Sequence, residues 1–364
     1  MYLSKAVNVC LPPCAFDGQV LCCCRNRFLW SSIQWQRARC LLTFDASCVV
    51  IRLRRNRCKS AMFAGLLSLL GLQEREPEDP LIHTIKLGIL NLQRQDFNKA
   101  ESMLHIALKM AQERADSQAE TYIFDVLANV AFEKGDYDKA EKLFVDVMKR
   151  SIAAGMPRDD NAIVEMSLKL AEIYDHRKDT KKAEQGYRFC IDAQEKKLEK
   201  KDYLDRLSEL SDVEKDTLVL WARSTEAFGR HQLEQGKILE AQKCFEDALT
   251  VSKTVNGMGH EVTLSLLNDV GTVASMLHDY DRALKLLKEA IALGRDIKSS
   301  NLAVFYCNLG GVLMEEGRSY AEAEGACREA LKLANKTNNS EAAARSRDCL
   351  EELKKRAPRA VFVR

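Results

Sequence analysis

The sequence lacks the residue patterns that enzymes most often use for catalysis. No two of its six histidines have the spacing of metal ligands, and His260-Glu261 is not followed by the second histidine of a zinc protease motif. No glycine-rich phosphate loop and no nucleophile elbow occurs. We therefore expect no enzymatic activity, no metal or cofactor site and no small-molecule substrate.

Long hydrophobic runs are also missing. The apolar run 61–72 would be about 18 Å long as a helix, whereas the hydrocarbon core of a bilayer is about 30 Å thick. A full membrane span is therefore not expected. The run is either an interfacial or sorting element or a segment that docks on the first repeat, and we favour membrane association. Pro77 and Pro80 then end this segment.

Acidic residues are nearly absent from the first 60 residues, which hold ten Lys or Arg and two Asp. This composition is typical of a mitochondrial transit peptide, with Arg57 to Ser60 as the processing neighbourhood. A secretory signal and a nonspecific disordered tail are the alternatives, although no apolar run directly follows the start. The remaining chain carries 45 basic and 51 acidic residues, so its charge does not favour a nucleic-acid partner.

Cysteine is plentiful but is not arranged for a metal site. Eight of the 13 cysteines lie in the first 60 residues, and Cys22-Cys23-Cys24 offers no Cys-x-x-Cys pair with histidine partners. A disulfide framework is not expected either. The other five cysteines fall within helical patterns and are predicted to pack as small apolar side chains: Cys190, Cys244, Cys307, Cys327 and Cys349.

An internal repeat is the main feature that the sequence does contain. A short turn leads into an alanine that opens a helical pattern six times, at spacings of 40, 43, 58, 42 and 40 residues. A small residue stands twelve or thirteen positions before each alanine, where two antiparallel helices of one unit would touch. The alanines are Ala100, Ala140, Ala183, Ala241, Ala283 and Ala323, and the small residues are Gly88, Ala128, Ala171, Gly229, Gly271 and Gly310.

This pattern resembles the tetratricopeptide repeat, a helix-turn-helix unit with a usual period of about 34 residues. The longer spacings resemble the long-helix variant of kinesin light chain. We therefore predict an all-α fold, a right-handed superhelical solenoid of about six helix-turn-helix repeats with a C-terminal capping helix, Ser340 to Arg356. The predicted segments are a basic transit or disordered segment (1–60), an apolar segment and linker (61–80), the solenoid with its cap (81–356) and a tail (357–364).

The 58-residue step contains a highly charged stretch from Glu195 to Asp216. We expect it to continue one helix and then to loop out before the next helix begins. A solvated helix face with a linker explains such a charge run better than a functional patch does.

The face formed by the first helix of each pair is the predicted binding groove. It mixes apolar side chains with hydrogen-bonding groups and suits an extended peptide or an amphipathic helix, with Asn129 and Asn268 reading backbone amides. The candidate contact residues are Ile85, Ile89, Tyr122, Asp125, Asn129, Phe132, Glu165, Leu168, Arg223, Arg230, Asn268 and Thr272, and the same face also includes Glu172, Glu226, Cys307 and Met314.

One block is more specific than the general repeat. The stretch from Asp160 to Tyr174, followed by Tyr187-Arg188-Phe189-Cys190-Ile191, resembles a mitochondrial family of tetratricopeptide repeat proteins over roughly residues 81–355. The resemblance implies a non-enzymatic factor of the mitochondrial inner membrane. It would bind respiratory complex III, the cytochrome bc1 complex, and support its integrity by allowing fragments of the Rieske iron-sulfur subunit to be cleared. A cytosolic adaptor with kinesin-light-chain-like repeats is the alternative.

Overall fold

A computed structural model describes residues 78–198, 210–317 and 319–356, and these residues form thirteen α-helices and no strand. The predicted all-α class is confirmed. The basic segment 1–60, the apolar run 61–72 and the tail 357–364 lie outside the described residues. None of the described helices is both long enough and apolar enough to cross a membrane.

The described residues divide into two compact units after Pro157. The N-terminal unit holds two helix pairs, α1 (Pro80–Gln93) with α2 (Phe97–Glu113) and α3 (Ser117–Lys134) with α4 (Tyr137–Ala153). The C-terminal unit holds four pairs and a last helix: α5 (Asn161–His176) with α6 (Thr180–Lys197), α7 (Asp212–Glu234) with α8 (Ile238–Asn256), α9 (Glu261–Met276) with α10 (Tyr280–Asp296), α11 (Leu302–Glu316) with α12 (Tyr320–Lys336), and α13 (Ser340–Arg356).

The turn within each pair has the same construction. In the first five pairs, the amide of the residue that precedes the second helix donates to a carbonyl five residues earlier, at 2.9 Å each time. That bond closes the end of the first helix, and it requires a left-handed residue just before the donor. These left-handed residues have φ between 61° and 80° and are Gln95, Gly135, Lys178, Gly236 and His278. An Asp then caps the second helix in four of these pairs, and Lys237 stands there without a side-chain cap.

The six repeat alanines are all fully buried. A Cβ added to Gly271 of α9 would lie 3.1 Å from Leu287 Cγ and 3.3 Å from the Ala283 carbonyl oxygen on α10. A Cβ on Gly88 would lie 2.8 Å from Leu104. The small residues are therefore needed because backbone and side chain of the opposite helix occupy the space.

The charged stretch of the long step is partly described. Helix α6 runs on to Lys197, and α7 begins at Asp212 behind the capping box of Ser211 and Glu214. Residues 199–209 lie outside the described residues. The expectation that the stretch first continues one helix agrees with the extent of α6.

The cysteines correct one expectation. Cys327 of α12 and Cys349 of α13 form a disulfide, with their Cα atoms 6.3 Å apart. The prediction that all five helical cysteines pack as unbonded apolar residues is wrong for this pair, because two adjacent helices bring the two sulfurs together. Cys190, Cys244 and Cys307 are not part of this disulfide, and Cys190 and Cys307 are buried as predicted.

We call the contact between the two helices of a pair, where the repeat alanines and the small residues lie, the seam. A larger residue at this seam should destabilise the fold. We expect Ala283→Leu to lower the free energy of unfolding by about 1 to 3 kcal/mol, because the added atoms meet Gly271 and its neighbours. Ala292→Leu on the same helix is the control, since Ala292 is exposed and should change stability by less than about 0.5 kcal/mol. Urea titration of both variants measures the difference, and equal effects would contradict the seam assignment.

The left-handed turn residues give a second prediction. Gln95→Gly should stabilise the N-terminal unit by about 0.5 to 1 kcal/mol, because glycine adopts φ of 61° without the steric cost that glutamine has. Gly135→Ala should have the opposite effect, about 1 kcal/mol of destabilisation, although its new Cβ would meet no atom within 4 Å. Thermal melts of the two variants should therefore shift in opposite directions.

Candidate protein-interaction face

The first-helix face of the N-terminal unit is mostly apolar where it is accessible. Ile89 of α1 and Tyr122 and Phe132 of α3 are half-buried, whereas Ile85, Asp125 and Asn129 are buried. Burial raises the pKa of Tyr122 to about 12. Asn129 donates from Nδ2 to the Asp125 carbonyl oxygen at 2.7 Å, so its amide serves its own helix rather than standing ready for a peptide.

In the C-terminal unit, the first helices are joined by charged side chains. Glu165 Oε1 of α5 lies 3.7 Å from Arg223 Nη1 of α7 and 3.6 Å from Lys169 Nζ on its own helix. Glu165 is almost buried, while the Arg223 side chain keeps about a third of its surface exposed. The predicted contacts Glu165 and Arg223 therefore lie together and neutralise each other across two repeats.

The next contact joins α7 to α9. Arg230 Nη2 donates to Glu226 Oε1 at 2.5 Å and to Asp269 Oδ2 at 3.3 Å. Burial raises the pKa of the Glu226 carboxyl, Arg230 and Arg223 act to lower it, and Asp269 adds to the rise. Arg230 thus stabilises two neighbouring carboxylates that would otherwise repel each other.

The third contact joins α9 to α11 through buried amides. Asn308 Nδ2 donates to Asn268 Oδ1 at 2.9 Å and lies 3.4 Å from Thr272 Oγ1. Asn268 Nδ2 in turn donates to Asp269 Oδ1 at 3.3 Å. We call the series from Glu165 to Asn308 the polar ladder. It runs across α5, α7, α9 and α11, and its side chains bond to one another, although Asn308 Oδ1 is buried without a hydrogen-bond partner among the described residues.

The structure shows which of the predicted contact residues are accessible to a partner. Seven of the twelve are buried, and Leu168 is only 1% exposed because it packs in the core with Val164 and Ala171. Leu168 is not available to a partner in this conformation, so its placement on the accessible face is corrected. The accessible members are Ile89, Tyr122, Phe132, Arg223 and Arg230.

The repeat pattern in the sequence did not identify three residues of the polar ladder: Lys169, Asp269 and Asn308. A signal was nonetheless present, because Arg230 and Asp269 are 39 residues apart and Asn268 and Asn308 are 40 apart. That separation is the repeat length, which places such residues side by side on successive first helices.

A buried histidine lies away from this face. His231 of α7 is fully buried, its Nδ1 lies 2.8 Å from Asp175 Oδ1, and Tyr187 OH donates to the other Asp175 oxygen at 3.3 Å. Burial, with Glu172 and Asp175 nearby, raises the pKa of Tyr187. The cluster joins α5, α6 and α7 and has the character of internal packing.

Metal ligands and cavities do not add to this face. Within 78–198, 210–317 and 319–356, no group of His, Cys, Asp or Glu side chains is placed to hold a metal ion. A surface cavity of about 420 Å³ lies at the α1–α2 turn, lined by Arg94, Asp96 and Lys134 among others. It lies at the end of the pair, so it does not belong to the first-helix face.

Comparison with known proteins agrees with this geometry. The family described as Tetratricopeptide repeat matches residues 222–296. A Drosophila melanogaster protein named "Tetratricopeptide repeat protein 19 homolog, mitochondrial" is 36% identical over 283 residues, which cover 78% of this chain and 74% of that protein. The Homo sapiens "Tetratricopeptide repeat protein 19, mitochondrial" is 33% identical over 284 residues, with the same shares of the two chains. The chain belongs to the tetratricopeptide repeat protein 19 family.

The relatives are mitochondrial by name, so the chain is a mitochondrial tetratricopeptide repeat protein. Solved structures support the fold alone. The apo form of RapI superposes with a TM-score of 0.55 at 14% identity, covering 81% of this chain and 78% of that one. BtubC (BKLC) from P. vanneervenii superposes with a TM-score of 0.50 at 18% identity, covering 72% and 93%.

The block that suggested the tetratricopeptide repeat protein 19 family has a structural role. Asp160 caps α5 by accepting the amide of Ala162 at 2.9 Å. Asn161 is buried, donates to Thr217 Oγ1 at 3.0 Å and accepts from Lys197 Nζ at 3.0 Å. Asn161 thus connects α5, α6 and α7 beside the long step, which explains why this block differs from a general repeat.

The polar ladder predicts a pH-dependent stability effect. In Arg230→Gln, Glu226 loses the cation that lowers its pKa, so unfolding should become easier by about 1 to 3 kcal/mol at pH 7. A carboxyl whose folded pKa lies above its unfolded value gains stability as the pH falls toward that folded pKa. The deficit relative to wild type should therefore be smaller at pH 5 than at pH 7 in urea titrations.

Two companion variants make this test specific. Adding Glu226→Gln to Arg230→Gln should recover part of the loss, because position 226 then no longer carries a charge that lacks its cation. Arg328→Gln removes an arginine that is 70% exposed and pairs with Glu324 of its own helix, and it should change stability by less than about 0.5 kcal/mol. A loss that does not depend on pH would contradict the role assigned to Glu226.

Proposed function

We propose that this protein is a non-enzymatic protein-interaction factor of the mitochondrial inner membrane. It binds respiratory complex III, the cytochrome bc1 complex, and supports the assembly and integrity of that complex by allowing fragments of the Rieske iron-sulfur subunit to be cleared. The observation that carries the proposal is the family relationship, 33% to 36% identity over 78% of the chain to proteins named tetratricopeptide repeat protein 19, mitochondrial.

The shape of the first-helix faces supports an interaction role. The N-terminal unit offers half-buried apolar side chains, and the C-terminal unit offers Arg223 and Arg230 within a paired polar ladder. An amphipathic segment buries its apolar residues on a face such as that of the N-terminal unit. We infer that the partner segment comes from complex III or from a Rieske fragment, and that a separate protease carries out the cleavage.

Attachment to the inner membrane is proposed on the sequence. The basic composition of residues 1–60 favours import into mitochondria, and the run 61–72 favours association with a membrane surface. Both segments precede α1 in the chain, so the repeats would follow directly on the membrane-associated stretch.

Affinity purification tests the proposed partner. The full chain carrying a C-terminal tag is expressed in mitochondria, the membranes are dissolved in mild detergent, and recovered proteins are quantified by mass spectrometry. We expect subunits of complex III to be enriched over a tag-only control, and Rieske fragments to accumulate when the protein is removed. Recovery without any complex III subunit would refute the proposal.

A matched pair of isoleucine variants tests the binding face. Ile89 is half-buried on α1, a first helix, whereas Ile106 is 50% exposed on α2, a second helix of the same pair. We expect Ile89→Ser to lower recovery of complex III by about fivefold or more, because it places a hydroxyl in an apolar contact. Ile106→Ser should leave recovery unchanged. Thermal melts confirm that both variants fold. Equal losses of binding would contradict the assignment of the binding site to the first-helix face.

A cytosolic adaptor remains the second candidate, favoured by helices of 14 to 23 residues, which resemble kinesin-light-chain-like repeats. Imaging of a fluorescent fusion with and without residues 1–60 distinguishes the two. Mitochondrial localisation that depends on residues 1–60 supports the inner-membrane proposal. A cytosolic distribution of the full chain supports the adaptor.

A further inference from the structure

The sixth helix pair differs from the other five at one buried position. Four residues after the repeat alanine, the first five pairs carry a large side chain that is at most 2% exposed. These side chains are Leu104, Phe144, Tyr187, Phe245 and Leu287. The sixth pair has the much smaller Cys327 there, and it is also fully buried. The space that a large residue fills elsewhere must therefore be filled in another way.

The disulfide to Cys349 fills it. Cys349 lies on α13 and is buried, and its sulfur takes part of the volume beside Cys327. On the other side, Gly310 of α11 leaves room, because a Cβ at that position would overlap the Cys327 sulfur. The two cysteines and the glycine are therefore fitted to one another across α11, α12 and α13.

The non-covalent attachment of α13 relies mostly on small side chains. Its buried residues are Ala342, Ala343, Ser346, Cys349 and Leu353, of which Leu353 is the only large apolar one. The ion pair between Arg356 and Glu315 of α11 is about a third exposed and contributes little. Small buried side chains remove little apolar area from water, so the cross-link adds a constraint to an interface that is built mostly of small residues.

We propose that Cys327 and Cys349 form a thiol–disulfide latch that controls whether the capping helix α13 stays closed. In the oxidised protein α13 is held against α12. In the reduced protein α13 opens, and the alanine cluster in which Ala342 and Ala343 of α13 pack with Ala303 and Ala334 becomes accessible. The inference is independent of the complex III proposal, since it concerns the end of the repeat rather than the first-helix face.

The latch closes by exchange with a small disulfide such as glutathione disulfide. One protein thiolate attacks a glutathione sulfur, forming a mixed disulfide and releasing one glutathione. The second protein thiolate then attacks the protein sulfur of that mixed disulfide and releases the second glutathione. Two protein thiols are oxidised, and one glutathione disulfide is reduced to two glutathione molecules that retain the two protons.

Burial of both sulfurs determines when this exchange occurs. Cys327 is fully buried and Cys349 is 5% exposed, so neither sulfur meets a reagent while α13 is closed. Formation and reduction both require α13 to lift from the C-terminal unit, because attack needs direct access to the sulfur. The closed oxidised state is therefore protected from moderate reductants by the packing of the helix itself.

Hydrogen exchange of the full chain tests the latch. The protein is equilibrated with reduced or oxidised glutathione, and deuterium uptake of peptides from α13 is measured by mass spectrometry. We expect these amides to exchange about tenfold or more slowly in the oxidised buffer, because the cross-link limits opening. Cys349→Ser should exchange rapidly in both buffers. Cys244→Ser, which removes a free cysteine of α8, should keep the difference.

The outcomes decide the proposal in every case. Peptide mapping with differential alkylation reports the bond directly, and two alkylated thiols in oxidised buffer would overturn the latch. A disulfide that forms without slowing exchange in α13 would overturn it as well. If Cys349→Ser raises exchange in α9 and α10, the variant is unfolded, and the comparison of wild type in the two buffers decides alone.

Discussion

The close approach of the two helices in each pair is the constraint on which the rest of the structure depends. Fully buried alanines on the second helices meet small residues on the first helices, and an added Cβ at Gly271 or Gly310 would meet the backbone of the opposite helix at 3.3 Å. Because this seam leaves no room for adjustment, each pair has one register. The left-handed turn residue and the aspartate cap then lie where that register needs them. The repeat is therefore fixed by sterics at a few positions more than by hydrophobicity along the whole unit.

This seam also determines what the first helices can do with their remaining surface. Their apolar side is taken up by the second helices, and the opposite side must satisfy polar groups that lie between neighbouring first helices. In the C-terminal unit Arg230 bridges Glu226 and Asp269, and Asn308 bridges to Asn268. A buried polar group without a partner costs about 1 to 3 kcal/mol, so these bonds are part of the packing between repeats. Polar residues that resemble a binding surface within one repeat therefore hold two neighbouring repeats together.

The sequence predicted the fold well because period and small residues are local signals. The helix pairs, the turns and the glycines between paired helices follow from spacing alone, and the structure agrees at Gly88, Gly271 and the buried alanines. The site was less predictable, because exposure depends on neighbouring repeats about 40 residues away. Leu168 was assigned to the face but lies in the core, and the Asn268 side chain already accepts a hydrogen bond from Asn308. The disulfide was not predicted for a related reason. In the sequence Cys327 and Cys349 resemble ordinary packing residues, and only the packing of α12 against α13 brings their sulfurs together.

The paired state of the ladder bears on how a partner gains affinity. A polar partner group that binds Arg230 or Asn268 must replace a bond that already exists, so the exchange yields little net free energy. Apolar burial has no such competitor, and the accessible apolar side chains Ile89, Tyr122 and Phe132 belong to the N-terminal unit. We therefore expect affinity to come mainly from that unit. The arginines of the C-terminal unit, each about a third exposed, already pair with carboxylates, so an unmatched charge near them would disturb the pairs that stabilise the repeats.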